Sequence, residues 1–380
     1  MSDRPLSEIL AAFDADLALE DAKTIPGSWY TDRRIGELER KTVFSRTWQL
    51  VGRAEQVAEP GQYLTAEVGG ERVLVVRGHD GVLRAFFNVC RHHAAAVMTE
   101  CAGKVDRLRC PYHGWTYGLD GALKSVTELD GARGFAMGEN GLVPLAVATW
   151  ELFVFVHLDP DPPPIDDWLG ARLRDQVSRL RLGDLHFAGR REWTLACNWK
   201  VFVDNYLDGG YHVPFLHKGL SSVLSFKDYT IDCFDRVCLQ SSPIDAEKVG
   251  AEKAGAMTAS VRRGQAHYYW LYPNLMLNAY EGYLDTNLVV PLGDDRMKVV
   301  FDFYFADVSP AVAERNAQSM DVSARIQDED HAICESVQKG LASRAYDAGR
   351  LSPRREAGEN LFHRLLAADL RSAKRSLHDC

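Results

Sequence analysis

Two short strings, Cys90-Arg91-His92 and Cys110-Pro111-Tyr112-His113, restrict the fold of this chain more than anything else in it. Each offers one thiolate and one imidazole within a reach of two or three residues. For all four side chains to converge, the loops that carry them must be held by a small β framework. The flanking sequence reads that way. Tyr63–Val68, Arg72–Arg77 and Val82–Phe87 are β-branched or apolar runs, with Gly69-Gly70 and Asp80-Gly81 at the turns. Trp150–His157 reads as one further strand.

A Rieske [2Fe–2S] cluster needs this division of ligands, since two Cys hold one iron and two His hold the other. Neutral imidazoles in place of two thiolates raise the reduction potential, which suits a relay from a low-potential donor to an oxidising site. A structural Cys2His2 zinc site uses the same ligand types. Zinc fingers, however, prefer wider spacing within each pair and place both histidines on a helix. Here Cys90-x-His92 is tight and the order alternates Cys, His, Cys, His.

A second cluster lies in Asp204-Asn-Tyr-Leu-Asp208-Gly-Gly-Tyr-His212-Val-Pro-Phe-Leu-His217. On a regular helix Asp204, Asp208 and His212 share one stripe, while His217 points about 140° away from His212 by the 3.6-residue repeat. Both imidazoles reach one metal only if the helix is broken, and Gly209, Gly210 and Pro214 permit a break. Two histidines then call for one further carboxylate to complete the facial triad of a non-haem Fe(II) oxygenase.

The strings from Phe87 to His93 and from Cys110 to Gly121 resemble the Rieske motif of ring-hydroxylating oxygenase α subunits, and the likeness runs from about Trp48 into the C-terminal half. The resemblance implies that Cys90, His92, Cys110 and His113 bind the cluster and that His212 and His217 bind a mononuclear Fe(II). In the family a late helix supplies an aspartate five positions before a Glu, which assigns Asp330 ahead of Glu335 as the third ligand. By residue type alone, Asp328, Glu329 and Asp330 are an ordinary solvated charge run. The resemblance also gives Asp208 a bridging role between the two metal centres of neighbouring subunits in a homotrimer. The spacing here is Asp-x-x-x-His rather than the commoner Asp-x-x-His, and Asp204 is the other candidate for that role.

The fold expected is α+β: an N-terminal helical arm (1–47), a Rieske-type all-β domain (48–164), and a catalytic domain with a helix-grip-like antiparallel sheet (165–380). The Pro-rich run Asp159–Pro164 marks the boundary. Helices are expected over Leu6–Leu17, Gly36–Thr47, Pro310–Leu341 and from about Glu356. Val299, Phe301, Phe303 and Phe305 alternate with Val300, Asp302, Tyr304 and Ala306, as in a strand buried more deeply on one face.

Charge and composition narrow the partners. Lys plus Arg (44) against Asp plus Glu (53) leaves −9, which offers no basic surface for nucleic acid or an anionic membrane. The longest apolar stretches fall far short of a bilayer span, and the acidic N-terminus does not read as a secretion signal, so a cytoplasmic location is expected. No G-x-G-x-x-G follows a strand, so a built-in nicotinamide site is not expected, and the resemblance implies that NAD(P)H acts indirectly, through a flavin reductase with or without a ferredoxin.

The strings Asp204–Pro214, Tyr272–Tyr280 and Asp285–Val289 are similar to the choline monooxygenase branch, whose members act on quaternary ammonium compounds. Tyr268, Tyr269, Trp270, Tyr272, Tyr280 and Tyr283 are candidate walls for such a cation. Hydroxylation of an aromatic acid is the alternative on the same motifs. A Rieske electron carrier without oxygenase chemistry is a more distant one, and a zinc-stabilised binding module is more distant still.

Overall fold

The computed structural model describes residues 4–217, 226–244 and 264–376. These form two compact units: Arg40–Trp168, and a second unit built from Met1–Glu39 together with Leu169–Cys380.

The first unit is mostly β, with a π-helical turn over Arg40–Phe44, short 3-10 turns and a one-turn helix that begins at Ile165. Its strands are β1 (Gln49–Arg53), β2 (Gln62–Val68), β3 (Glu71–Arg77), β4 (Leu83–Phe87), β5 (Ala102–Lys104), β6 (Leu108–Arg109), β7 (Thr116–Tyr117), β8 (Leu123–Ser125), β9 (Pro144–Trp150) and β10 (Phe153–His157). Seven of them make one antiparallel sheet in the order β1-β10-β9-β4-β3-β2-β5, and β6-β7-β8 make a small second sheet. Cys90, Cys110, Trp115 and Tyr117 share a buried core with Leu74, Val76, Phe86 and Leu108, so the ligand loops rest on packed side chains.

One expected strand is two. The run Trp150–His157 holds the end of β9 and the whole of β10, which pair as a hairpin with Trp150 opposite Phe153. Glu151 makes the turn at φ 50°, a left-handed position that a non-Gly residue rarely takes. With no Gly, Pro, Asn or Asp at that turn, the sequence gives no sign of it.

The second unit carries the catalytic sheet: β11 (His186–Leu195), β12 (Thr230–Phe234), β13 (Val237–Pro243), β14 (Gln265–Leu271), β15 (Leu275–Tyr280), β16 (Tyr283–Pro291) and β17 (Met297–Phe305). The order is β11-β17-β16-β15-β14-β13-β12. Its α-helices among the described residues are α1 (Leu6–Ala11), α2 (Gly27–Thr31), α3 (Arg33–Glu39), α4 (Ala171–Ser178), α5 (Trp199–Leu207), α6 (Val213–Leu216), α7 (Ala313–Leu341) and α8 (Ala357–Ser376). Helix α7 packs on α5, α2 and β11, and α8 packs on α5 and β12.

Three local expectations change. The opening helix stops at Ala11, and Leu17 lies exposed beyond it. Helix α3 gives way to a π-helical turn over Arg40–Phe44 rather than running on to Thr47. Strand β17 is buried on both faces except at the half-buried Lys298, and it lies inside the sheet between β11 and β16.

Candidate active site

Helix α5 starts at Asn198, whose side-chain oxygen accepts a hydrogen bond from the Lys200 N–H. Its apolar residues Trp199, Val201, Phe202, Val203 and Leu207 are buried. At its root Lys200 Nζ lies 2.6 Å from Glu39 Oε1, and Trp199 Nε1 donates to Glu39 Oε2 at 2.8 Å. The helix ends at Asp208, where Gly209 and Gly210 adopt φ of 67° and 68°. These positive φ values favour glycine, and at position 209 there is a second reason. A Cβ there would lie 2.1 Å from the Arg355 carbonyl oxygen, so no side chain fits.

The chain then makes the short helix α6, with His212 at its N-terminal cap and His217 at its C-terminal cap. The break and restart bring the two rings to 4.9 Å between centroids. From α7, Asp330 completes the group. Its Oδ1 is 3.0 Å from His217 Nε2 and 3.8 Å from His212 Nε2. Ligand atoms from all three lie within 4.8 Å of one another.

The far side of each ring is also fixed. His212 Nδ1 is 2.6 Å from Asp208 Oδ2, and His217 Nδ1 is 2.6 Å from Glu329 Oε2. Both Nε2 atoms are thereby turned toward Asp330, the arrangement expected of metal-bound imidazoles. Burial pulls the His217 pKa down, but the hydrogen bonds and charges of Asp330 and Glu329 outweigh it and hold the pKa above the usual histidine value. Asn205 Nδ2 donates to Asp330 Oδ1 at 2.9 Å.

Asp204 takes no part in this group. It binds Tyr30 Oη at 2.5 Å and His363 Nε2 at 3.0 Å instead. Nothing in the sequence marks Glu329 as the partner of His217. Its neighbour Asp328 accepts from Trp193 Nε1, so of three successive carboxylates on α7 one holds an indole and two hold the opposite nitrogens of His217.

In the β unit the two ligand loops have matching turns. The Ala94 N–H donates to the Cys90 carbonyl at 3.0 Å, and the Gly114 N–H donates to the Cys110 carbonyl at 3.1 Å. The Tyr117 hydroxyl lies 3.3 Å from Cys90 Sγ and accepts from the Arg91 N–H. The rings of His92 and His113 are 4.7 Å apart, and His92 stacks on Trp115. Burial pushes the Cys110 thiol up and the His92 imidazole down. His92 Nδ1 is buried without a hydrogen-bond partner. An orphaned imidazole nitrogen beside two buried thiols is what a cluster iron would satisfy.

A cavity of about 130 Å³ opens onto the His212–His217–Asp330 group. Of the aromatic residues singled out from sequence, only Tyr268 and Tyr280 line it. Trp270, Tyr272 and Tyr283 are core residues, and Tyr269 is buried elsewhere. Tyr206 and Tyr229, which sequence reasoning did not single out, complete the aromatic wall. The floor holds Asp285, only 2% exposed, which accepts from Asn278 Nδ2 at 2.6 Å and Tyr283 Oη at 2.8 Å.

Residues 182–372 match the ring-hydroxylating α-subunit catalytic domain, and residues 47–140 match the Rieske [2Fe-2S] domain. The chain is 41% identical to a chloroplastic choline monooxygenase of Arabidopsis thaliana, over 91% of this chain and 82% of that protein. It is 31% identical to the carnitine monooxygenase oxygenase subunit of Escherichia coli K12, over 92% and 94% of the two chains. A quaternary ammonium Rieske monooxygenase solved with L-carnitine superposes with a TM-score of 0.81 at 27% identity, covering 94% of this chain and 99% of that one. Naphthalene 1,2-dioxygenase from a Rhodococcus species shares the fold, with a TM-score of 0.73 at 20% identity over 91% and 94% of the chains.

The fold is that of a Rieske non-haem iron oxygenase, with a [2Fe–2S] cluster and a mononuclear iron as its cofactors. Within that class the chain belongs to the ring-hydroxylating oxygenase α-subunit family. Among the described residues no helix is long and apolar enough to cross a membrane.

Proposed function

We propose that this chain hydroxylates a small quaternary ammonium compound of the choline or betaine type. The observation that carries this reading is the charge of the pocket. Four tyrosines line it, Asp285 is buried at its floor, and no Lys or Arg is among its described lining residues. Ring faces attract an onium group by about 0.5–2 kcal/mol each, and a buried carboxylate adds to that attraction. An aromatic acid would bring its carboxylate toward Asp285, with no Lys or Arg among the described lining residues to receive it. Relatives acting on choline and carnitine support the same choice.

In this reading Cys90, His92, Cys110 and His113 hold the cluster, and His212, His217 and Asp330 hold the iron. The iron, when bound, supplies O2 activation for insertion into a C–H bond. The protein's part is to orient. Asp208 and Glu329 fix the imidazoles, and the tyrosines and Asp285 fix the cation so that one carbon faces the metal. A hydroxyl placed beside the nitrogen gives an unstable carbinolamine; placed on an alcohol carbon it gives an aldehyde hydrate. Electrons come from NAD(P)H through a flavin reductase, directly or by way of a ferredoxin. A homotrimer brings one subunit's cluster to its neighbour's iron, with Asp208 between them.

The test compares choline with its uncharged tert-butyl isostere, 3,3-dimethylbutan-1-ol, and with benzoate. Choline should trigger O2 uptake coupled to product, and Asp285→Asn should weaken its binding by about tenfold or more. Equal response to the isostere, or tight coupling to benzoate, would overturn the cation reading.

A further inference from the structure

Two groups of side chains among the described residues reach metal-ligand spacing: His212–His217–Asp330, and Asp204–Glu359–His363 between α5 and α8. Their near sides are alike, since in each a His Nε2 lies 3.0 Å from an aspartate Oδ1. Their far sides are not. Both iron-site imidazoles have a carboxylate at Nδ1, whereas His363 Nδ1 is buried with no partner. A metal on His363 Nε2 would force the proton onto Nδ1, where no acceptor waits. The favoured tautomer therefore keeps its proton on Nε2 and donates it to Asp204.

Asp204 also accepts from Tyr30 Oη, so two donors converge on its side chain. Glu359 is in the opposite position. It is only 6% exposed, and its Oε1 lies 3.9 Å from His363 Nε2. The groups facing it are Asp204 on α5, Asp208 just past its end, Glu356 just before α8, His363 on α8, and Tyr30 on α2. Burial and the neighbouring acids Asp204, Glu356 and Asp208 hold its carboxyl well above the usual carboxylate range.

Glu359 opens onto a second cavity, of about 210 Å³, lined also by Tyr30, Asp204, Asn205 and Cys334, with the half-exposed Tyr346 at its edge. Asn205 lines this cavity and the metal-site cavity alike, and it donates to Asp330. The second cavity thus backs onto the amide that holds an iron ligand. Its lining mixes Val201, Ile333 and Val337 with the polar Tyr30, Asp204, Asn205 and Glu359, and it is large enough for several waters.

We propose that the Asp204–Glu359–His363 cluster is a proton store for the oxygenase site, with Glu359 releasing its carboxyl proton through water in the cavity behind Asn205. Hydroxylation obeys R–H + O2 + 2e⁻ + 2H⁺ → R–OH + H2O, with electrons from the reductase and protons from solvent. The O–H bond of Glu359 breaks, and the proton passes by way of cavity water to the oxygen that leaves as product water. The carboxylate left behind, facing other acids, is reprotonated from solvent at the Tyr346 side. Glu359 touches neither substrate nor metal, so it acts as a relay. The proposal rests on the oxygenase activity and not on which substrate the pocket takes.

Infrared spectroscopy of the full chain tests the stored proton directly. A protonated-carboxyl C=O band that shifts in D2O should be present at neutral pH, persist after the mononuclear iron is stripped, and vanish in Glu359→Gln. Single turnover of the same variant, with unaltered iron content and thermal midpoint, should form product about tenfold or more slowly, with an enlarged solvent isotope effect. If Glu359→Gln does not fold, Glu359→Asp should keep the band and part of the rate. Absence of the band, or wild-type product formation and isotope effect in Glu359→Gln, would overturn the proposal. So would an additional metal equivalent per chain that this variant loses. Failure on choline alone would count against the substrate reading and leave the infrared result standing.

Discussion

Glu329 Oε2 lies 2.6 Å from His217 Nδ1, on the side of the ring away from Asp330. One turn of α7 therefore supplies both Asp330, which faces the Nε2 atoms of His212 and His217, and the acid that fixes the His217 ring from its other side. Glu329 is half exposed while His217 is 2% exposed, so the pair joins a solvated acid to a buried base.

Removal of that aim should show as weaker metal binding. Glu329→Ala should lower mononuclear iron affinity by about 10–100-fold while leaving the [2Fe–2S] cluster intact. Iron titration of stripped protein, followed alongside the cluster's visible absorption, measures both.

Asp208 should behave differently. With iron in excess, Asp208→Asn should retain the metal yet lose nearly all substrate-coupled O2 use, because a neutral amide orients His212 without providing the charged bridge. Single turnover of pre-reduced trimer reads this. Loss of iron in Asp208→Asn, with retention in Asp330→Ala, would exchange the two carboxylate roles.

The metal-free protein should be pH-sensitive through His217. Its folded pKa is raised above 6.5, so the protonated form stabilises the fold below that pH and the contribution fades as pH rises through the folded pKa. Iron binds only the neutral imidazole, so iron affinity should rise over the same interval. Thermal midpoints of stripped and iron-loaded protein between pH 6 and 9 should converge at low pH and diverge at high pH.

The root of α5 is a stability site. Glu39→Ala leaves Lys200, which is fully buried, without its counter-charge and should cost about 3–5 kcal/mol in urea unfolding. The double substitution Glu39→Leu with Lys200→Met should recover most of that loss, because an apolar pair of similar size removes both desolvation penalties.

The candidate site was legible in the sequence where spacing and chemistry coincide. Cys90-x-His92 and Cys110-x-x-His113 lie in local loops, and the helix break between Asp208 and His212 is written in Gly209-Gly210. What was hidden depends on distance along the chain. Lys200 and Glu39, or His217 and Glu329, meet only through tertiary packing, and no local pattern marks them. The aromatic wall was half legible for the same reason. Tyr268 and Tyr280 sit on neighbouring strands, but Tyr206 comes from α5 and Tyr229 from the segment before β12. The hairpin at Glu151 escaped because an apolar run without turn residues reads as one strand.

The Arg355 carbonyl that fills the space beside Gly209 works as a template for the carboxylate. It excludes an acid from position 209 and leaves Asp208 as the residue able to reach His212. Two stretches 146 residues apart are thus matched halves of one mould. A loop grafted from an Asp-x-x-His relative would bring a side chain into that carbonyl, so a working chimera must exchange the lead-in to α8 along with it.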